Sequence, residues 1–182
     1  LDQKDAQGIS MRDAMKAAGL PATMEAIGAL RRDPARYLGF VEVHIEQGPV
    51  LNELDVPLGV VTSINGSVRL LCAVTGMASH AGTTPMDRRR DAAAAVAELV
   101  LYVERRAAQD GDSVGTVGIL QVPGGSTNVV PGRCEFTLDL RAPTNAQRDA
   151  LVTDVQAELQ ALCARRGVQY QLQETLCASA AP

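Results

Sequence analysis

The feature that most constrains the fold is a nine-residue segment, 133–141, in which polar and apolar residues alternate without exception. Its odd positions carry arginine, glutamate, threonine, aspartate and arginine, and its even positions carry Cys134, Phe136, Leu138 and Leu140. Since successive side chains of a strand point to opposite faces, the pattern predicts a strand with one face covered and one face in water. This is typical of an antiparallel sheet that carries helices on one side only.

Five further elements surround this strand in the order β-α-β-β-α-β. The predicted strands are 60–76, 114–122 and 168–172; the predicted helices are 91–107, with apolar residues at steps of three and four, and about 144–166, with a capping box at its start and Gly167 at its end. The order predicts an α/β (α+β) fold of the ferredoxin-like type, with two helices on one face of a four-stranded antiparallel sheet. The open sheet edges or helix sides of such a unit favour a symmetric partner.

The first third of the chain has a different pattern. Short helices are predicted at 11–18 and about 22–32, and a strand at 37–45, which Gln47-Gly48-Pro49 interrupts. Within that strand, Glu42, His44 and Glu46 would share a face, at the strand end where ligands collect in α/β sheets. Residues 55–59 form a plausible crossing between two domains.

Composition excludes several classes of partner. The net charge is −4 with interspersed signs, and the arginine clusters at 88–90 and 105–106 are short, so we expect solvated faces or helix ends there and no nucleic-acid binding. No apolar run approaches the roughly 20 residues of a membrane span. The four cysteines never form C-x-x-C, and Cys72 and Cys134 occupy apolar strand positions, which favours a reduced, cytoplasmic protein.

The chain has only two histidines, and each lies in a polar motif. His44 stands between two glutamates and could ligate Zn, Mn, Co or Ni, although a strand that simply ends in water would show the same spacing. His80 lies in a loop of small residues, 79–85. It could form a structural hydrogen bond, or contact an oxyanion of a closely bound ligand.

Two other residues suit recognition of a carboxylate. Asn128 lies in the connection 123–132, and Arg141 ends the alternating strand on its polar face. A guanidinium fork and a side-chain amide can together bind a carboxylate, but a turn asparagine and a surface arginine would look the same. The P-C-x-x-C of nucleobase deaminases, the G-x-S-x-G elbow and the phosphate-binding glycine motifs are all missing from the sequence.

Taken together, these motifs resemble the amidase branch of the M20 metallopeptidase-like family. That branch contains N-carbamoyl-L-amino-acid hydrolases, allantoate amidohydrolases and β-ureidopropionases. The segments that carry the resemblance are His44-Ile45-Glu46-Gln47-Gly48-Pro49-Val50-Leu51, Gly59-Val60-Val61, His80 to Met86 with Arg89 and Asp91, Asn128-Val129-Val130-Pro131-Gly132 and Leu138-Asp139-Leu140-Arg141.

The resemblance implies a two-domain enzyme with two divalent metal ions (Zn, Mn, Co or Ni) and a lid that forms a homodimer. Residues 1–58 would belong to the catalytic domain, 59–177 would be the lid, and 178–182 would begin the return to the catalytic domain. By the same resemblance, His44 ligates a metal and Gln47 lies near the substrate. His80 reaches the scissile carbonyl from the partner subunit, while Asn128 and Arg141 hold the carboxylate of the small-molecule substrate.

The function expected from the resemblance is metal-dependent hydrolysis of linear C–N bonds in N-carbamoyl-L-amino acids or allantoate. Neither the metal nor the choice among carbamoyl amino acid, allantoate and ureidopropionate is readable from these residues. The chain looks like an excised piece, and since the other metal ligands and the general base would lie outside it, we expect it to be inactive alone. The alternative is a non-catalytic dimerisation or small-molecule-binding module on the same fold.

Overall fold

A computed structural model describes residues 1–181 of the chain. The chain divides into two compact units, one spanning Leu1–Leu58 and the other starting at Gly59. The segment expected to return to a catalytic domain, 178–182, ends at Pro182, which lies outside the described residues. None of the helices in residues 1–181 has the length and apolar character needed to cross a membrane.

The first unit contains short helices: α1 (Met11–Ala17), α2 (Met24–Gly28), a 3-10 turn (Pro34–Arg36) and α3 (Val50–Glu53). Helix α1 begins where predicted, because the Ser10 hydroxyl accepts the Asp13 backbone N–H at 3.1 Å. Helix α2 is shorter than predicted. It begins after the Thr23 cap and ends at Gly28, a residue that disfavours further helix.

The prediction of a strand at 37–45 is wrong. These residues are not in a strand, and the side chains of Phe40, Val41, Val43 and Ile45 are between 74 and 94% exposed. A strand is held by hydrogen bonds to a neighbouring strand, and no other part of residues 1–181 pairs with this segment. His44 therefore does not lie at a strand end. Without a strand, Glu46 and His44 share no strand face. The Glu46 carboxylate instead accepts the Leu51 N–H at the start of α3.

The second unit is built on an antiparallel sheet, which confirms the predicted fold class. Its strands, in the order β3-β6-β1-β7 with β4 also paired to β6, are β1 (Gly66–Thr75), β3 (Val114–Thr116), β4 (Leu120–Gln121), β6 (Arg133–Ala142) and β7 (Gln169–Ala178). The strand predicted at 114–122 is divided into β3 and β4. The break is stabilised by Thr137, whose hydroxyl accepts the Ile119 N–H at 3.1 Å.

Two long helices, α4 (Ala92–Gln109) and α5 (Asn145–Arg166), contribute the apolar residues that form the core with one face of the sheet. Asp91 caps α4, Thr144 caps α5 with a hydroxyl that accepts the Gln147 N–H at 3.2 Å and donates to the Gln147 side chain, and Gly167 ends α5 at φ 63°. The most deeply buried core residues are each less than 2% exposed and include Val96, Leu99, Cys134, Leu138, Leu140, Leu151 and Leu159. Burial of Cys72 and Cys134 confirms their predicted place in the core.

A small second sheet positions the loop that contains His80. Strand β2 (Ser79–His80) pairs with β5 (Val129–Val130), with His80 opposite Val129. This pairing continues the β1–β6 ladder past its end, since the Gly76 N–H donates to the Gly132 carbonyl at 2.9 Å. Gly132 is required there, because a Cβ would lie 2.7 Å from the Ala78 backbone nitrogen.

Candidate active site

The imidazole of His80 is held by its own loop. The ring is exposed, and its Nδ1 accepts the Gly82 N–H at 3.0 Å. A nitrogen that accepts a hydrogen bond carries no proton, so the neutral ring in this geometry has its proton on Nε2. Within residues 1–181 that Nε2–H has no partner and can donate to a ligand. Gly82 permits this approach, since a Cβ there would lie 3.1 Å from Cε1 of the ring.

The loop around His80 is closed by backbone hydrogen bonds and by one arginine. The Thr84 N–H donates to the His80 carbonyl at 3.1 Å, which makes the turn. Arg89 donates from Nη2 to the Ala81 carbonyl at 2.6 Å and from Nε to the Thr84 carbonyl at 3.1 Å. Sequence reasoning gave Arg89 no role, and its membership of the matched motif was the only signal for it.

Asn128 lies beside His80. The Ala81 N–H donates to the Asn128 carbonyl at 2.9 Å, directly after the pairing of His80 with Val129. The side-chain oxygen of Asn128 accepts the Ser126 hydroxyl at 2.9 Å, so its amide NH2 is available to donate to a ligand. The structure therefore brings two predicted site residues together, each presenting a hydrogen-bond donor.

Arg141 lies on the open face of the sheet. Its Nε and Nη2 each donate to the Asp139 carboxylate at 2.7 Å, and Arg69 donates to the same carboxylate at 3.0 Å. The hydrogen bonds from Arg141 hold the pKa of Asp139 below its ordinary value, although partial burial opposes this. Asp139 occupies only the Nε–Nη2 side of the guanidinium, and Nη1 has no partner among the described residues.

A groove of about 550 Å³ opens beside Arg141 on the same face. Its lining is both charged and apolar and includes Arg69, Leu71, Thr116, Thr137, Asp139 and Thr175. A volume of this size suits a small-molecule ligand. Arg141 is thus placed where a carboxylate could enter the groove.

His80 and Arg141 lie at opposite ends of the β1–β6 ladder. Arg141 is eight residues from Arg133, which at about 3.3 Å per residue separates their Cα atoms by roughly 26 Å. His80 and Asn128 lie beyond the Arg133 end, on the β2–β5 extension. In one chain, Asn128 and Arg141 therefore cannot contact the carboxylate of the same small substrate.

In the first unit, His44 has the hydrogen bond expected of a metal ligand. Its Nδ1 lies 2.6 Å from the Ile45 carbonyl, and since a carbonyl only accepts, Nδ1 carries the proton and the Nε2 lone pair is free. No group of three or more metal-ligating side chains occurs within residues 1–181, so His44 fits as a single ligand and the described residues do not complete a metal site. Gln47 follows in a left-handed turn at φ 56°.

The sequence profile of the M20 peptidase dimerisation domain matches residues 62–166, more than half of the chain. The chain belongs to the M20 family. An N-carbamoyl-L-amino acid amidohydrolase of Geobacillus stearothermophilus is 41% identical to this M20 chain over 93% of its residues and 41% of the relative's length. An allantoate deiminase of Arabidopsis thaliana is 36% identical over 92% of this chain and 36% of its own length.

A solved structure has the same fold. The hydantoinase/carbamoylase family amidase of Burkholderia ambifaria matches all of this M20 chain and 44% of its own, with a TM-score of 0.79 and 34% identity. The chain thus spans less than half the length of these relatives. His80, Asn128 and Arg141 lie inside the matched M20 domain, whereas His44 and Gln47 precede it.

Proposed function

We propose that this M20 chain is part of a metal-dependent amidohydrolase that cleaves linear C–N bonds in N-carbamoyl-L-amino acids or allantoate. The proposal follows the amidohydrolase and deiminase relatives. The observation that carries it is the backbone pairing that places His80 next to Asn128 in the sequence-distant loops 79–85 and 123–132, each residue having a side-chain donor. A substrate of this kind offers a carbonyl and a carboxylate, and both are hydrogen-bond acceptors.

His80 is the residue that stabilises the reacting carbonyl in this proposal. As the carbonyl is attacked, its oxygen gains negative charge, and a preoriented Nε2–H donor lowers the energy of that state. Two divalent metal ions (Zn, Mn, Co or Ni) would supply the activation of water when bound, with His44 holding one of them through Nε2. Gln47, three residues after His44, lies near the substrate in this arrangement. With carbamoyl substrates, ammonia and carbon dioxide would leave with the amino acid.

The two ends of the ladder then serve different active sites of a homodimer. Since Asn128 lies with His80 and far from Arg141, one site would use His80 and Asn128 of one protomer and Arg141 of the partner subunit. Arg141 binds the substrate carboxylate through Nη1 while Asp139 holds its other side. Asn128 binds the same substrate from the His80 side.

Mixing of inactive variants tests this arrangement. His80→Ala and Arg141→Ala, made in a protein of the relatives' full length, are each expected to lose most activity as homodimers. When they are mixed and allowed to exchange subunits, about a quarter of wild-type activity should return, because half of the dimers are hybrids with one intact site of two. The matched control is a mixture of His80→Ala with Asn128→Ala, which should recover nothing since both residues come from one protomer. Equal recovery in both mixtures, or none in either, would contradict the shared site.

The second candidate function is a non-catalytic dimerisation or small-molecule-binding module. The groove beside Arg141 favours it, because a groove of that size with a free guanidinium donor can bind a carboxylate without any reaction. A panel of carbamoyl amino acids, allantoate and ureidopropionate with each of the four metals separates the two candidates. Turnover of any member supports the enzyme, and saturable binding with no turnover across the panel supports the module.

A further inference from the structure

Arg89 makes unusual use of its guanidinium. Among the described residues it pairs with no carboxylate, and both of its hydrogen bonds go to backbone carbonyls of the His80 loop, those of Ala81 and Thr84. Its neighbour Arg88 is exposed and makes no side-chain hydrogen bond within residues 1–181. Arg89 is half-buried, so both bonds are partly shielded from competing water.

One of these bonds acts on the peptide group that holds His80. The Ala81 carbonyl and the Gly82 N–H belong to the same planar peptide unit. Arg89 fixes the oxygen at 2.6 Å, and the N–H of that unit donates to His80 Nδ1 at 3.0 Å. Because the unit is planar, fixing its oxygen also fixes the direction of its N–H. A charged donor on the oxygen further polarises the unit, which makes the N–H a stronger donor.

The same residue also keeps His80 beside Asn128. Ala81 is held on both sides, with its N–H donating to the Asn128 carbonyl at 2.9 Å and its carbonyl accepting from Arg89. The Nε–H of Arg89 donates to the Thr84 carbonyl at the end of the turn. Without Arg89, both carbonyls would lose their donor.

We infer that Arg89 is a positioning residue that orients His80 through the Ala81–Gly82 peptide and keeps the imidazole proton on Nε2. The inference rests on the proposed function, in which that Nε2–H is the donor to the substrate carbonyl. If Nδ1 carried the proton, it would face the Gly82 N–H, and two donors would oppose each other. Arg89 therefore sets the tautomer without touching the substrate.

Nitrogen NMR of the histidine rings tests the inference without any assay of activity. The chain has only two histidines, so a His44→Gln variant assigns the signals of His80 directly. At a pH where the ring is neutral, the wild-type chain should show an unprotonated, pyridine-like Nδ1 and a protonated, pyrrole-like Nε2. A wild-type His80 with its proton mainly on Nδ1 would overturn the inference and the assignment of Nε2–H as the donor, whereas hydrolysis of the substrates is tested separately by the turnover panel.

Three variants then isolate the role of Arg89. Arg89→Met keeps an unbranched apolar side chain but removes both donors, and its His80 signals should move toward a mixture of tautomers. Arg88→Met is the matched control and should keep the wild-type signals. If the amide spectrum shows that Arg89→Met is unfolded, Arg89→Lys replaces it in the test. A lysine ammonium cannot reproduce both hydrogen bonds of the guanidinium, so its ratio of the two His80 tautomers should lie between those of wild type and of an equal mixture. Wild-type signals in the folded Arg89 variant, or the same shift in Arg88→Met, would overturn the inference.

A kinetic readout completes the test in a protein of the relatives' full length. Arg89→Met should lower kcat by about ten- to a hundred-fold, the range expected when a catalytic group is misplaced by about an ångström. KM should change little, since Arg89 does not contact the substrate. A rise in KM alone would overturn the positioning role. If the wild-type protein turned over none of the substrates, the proposed function would fail, and the tautomer result would stand separately.

Discussion

Arg141 and Asp139 are joined side-on: Nε and Nη2 of Arg141 each lie 2.7 Å from a different oxygen of the same carboxylate. This pairing holds the guanidinium plane in place and leaves Nη1 free of partners in the described part of the chain. The two residues stand on the same face of β6, with Leu140 between them directed into the core. Arg141 is thus preoriented before any ligand arrives.

Replacement of Arg141 by lysine should weaken substrate binding. A lysine keeps the charge but cannot pair with Asp139 and a second carboxylate in one plane. We expect Arg141→Lys to raise KM by about ten-fold or more, to lower kcat by less, and to leave the bound metal content unchanged. Steady-state kinetics and metal analysis of a protein of the relatives' full length check this, and unaltered kinetics would make Arg141 an ordinary surface residue.

Asp139 should contribute a pH-dependent part of the stability. Its folded-state pKa is lowered, first by the hydrogen bonds from Arg141 and then by the attraction of that charge and of Arg69. A lowered pKa gives a stabilisation that is full above the unfolded-state value of about 3.9 and is lost as pH falls through the folded value. Asp139→Asn should therefore be less stable than wild type at pH 7, and the difference should vanish at low pH.

The size of this effect is modest because Asp139 is partly exposed and solvent screens the pair. We expect a difference in the free energy of unfolding on the order of 1 kcal/mol or less at pH 7. Urea denaturation at pH 7 and at successively lower pH measures it. Asp112→Asn, which alters an exposed aspartate with no ion pair in residues 1–181, is the control and should show no such convergence.

The four cysteines should differ in reactivity. Cys72, Cys134 and Cys163 are buried, and burial raises the pKa of the Cys72 thiol to about 12, whereas Cys177 is exposed on β7. Since the thiolate is the reactive form, a thiol reagent at pH 8 should modify one cysteine quickly in the folded chain and all four in guanidinium chloride. Cys177→Ser should abolish the fast phase, and a fast phase that persists would contradict the burial of the other three.

The core prediction concerns Leu138, which lies at the centre of β6 and is 1% exposed. Leu138→Ala removes buried methyl groups and leaves a cavity, at an expected cost of about 2–5 kcal/mol in the free energy of unfolding. Leu101 is 54% exposed on α4, so Leu101→Ala should change stability by no more than about 0.5 kcal/mol. Chemical denaturation of both variants provides the comparison, and equal losses would contradict the assigned core.

The second unit was predictable because its signals are local. The alternation in 133–141, the Thr144 N-cap and the Gly167 terminator each act within a few residues, and the structure has all three. The strand expected at 37–45 failed for the opposite reason. Its apolar residues suit a strand, but a strand forms only where a neighbour offers hydrogen bonds, and a single segment cannot reveal that neighbour.

The arrangement of the candidate site was beyond sequence reasoning for a related cause. That Asn128 lies with His80 and away from Arg141 depends on the register of β2 against β5, which no motif encodes. The role of Arg89 depends on the direction of two backbone carbonyls. The sequence thus identified the candidate site residues, but it could not identify the groups to which they hydrogen-bond.

The β1–β6 ladder, with its β2–β5 extension, fixes the distance between His80 and Arg141 within one chain. In the proposed homodimer, the number of residues along it would set the distance between the two reaction centres, and whether a position is odd or even decides which face its side chain takes. An insertion of one residue within β6 would turn Arg141 into the core and change its spacing from Asn128 at the same time. Length variation should therefore be confined to the turns, such as residues 110–113, while the two long strands keep an invariant count.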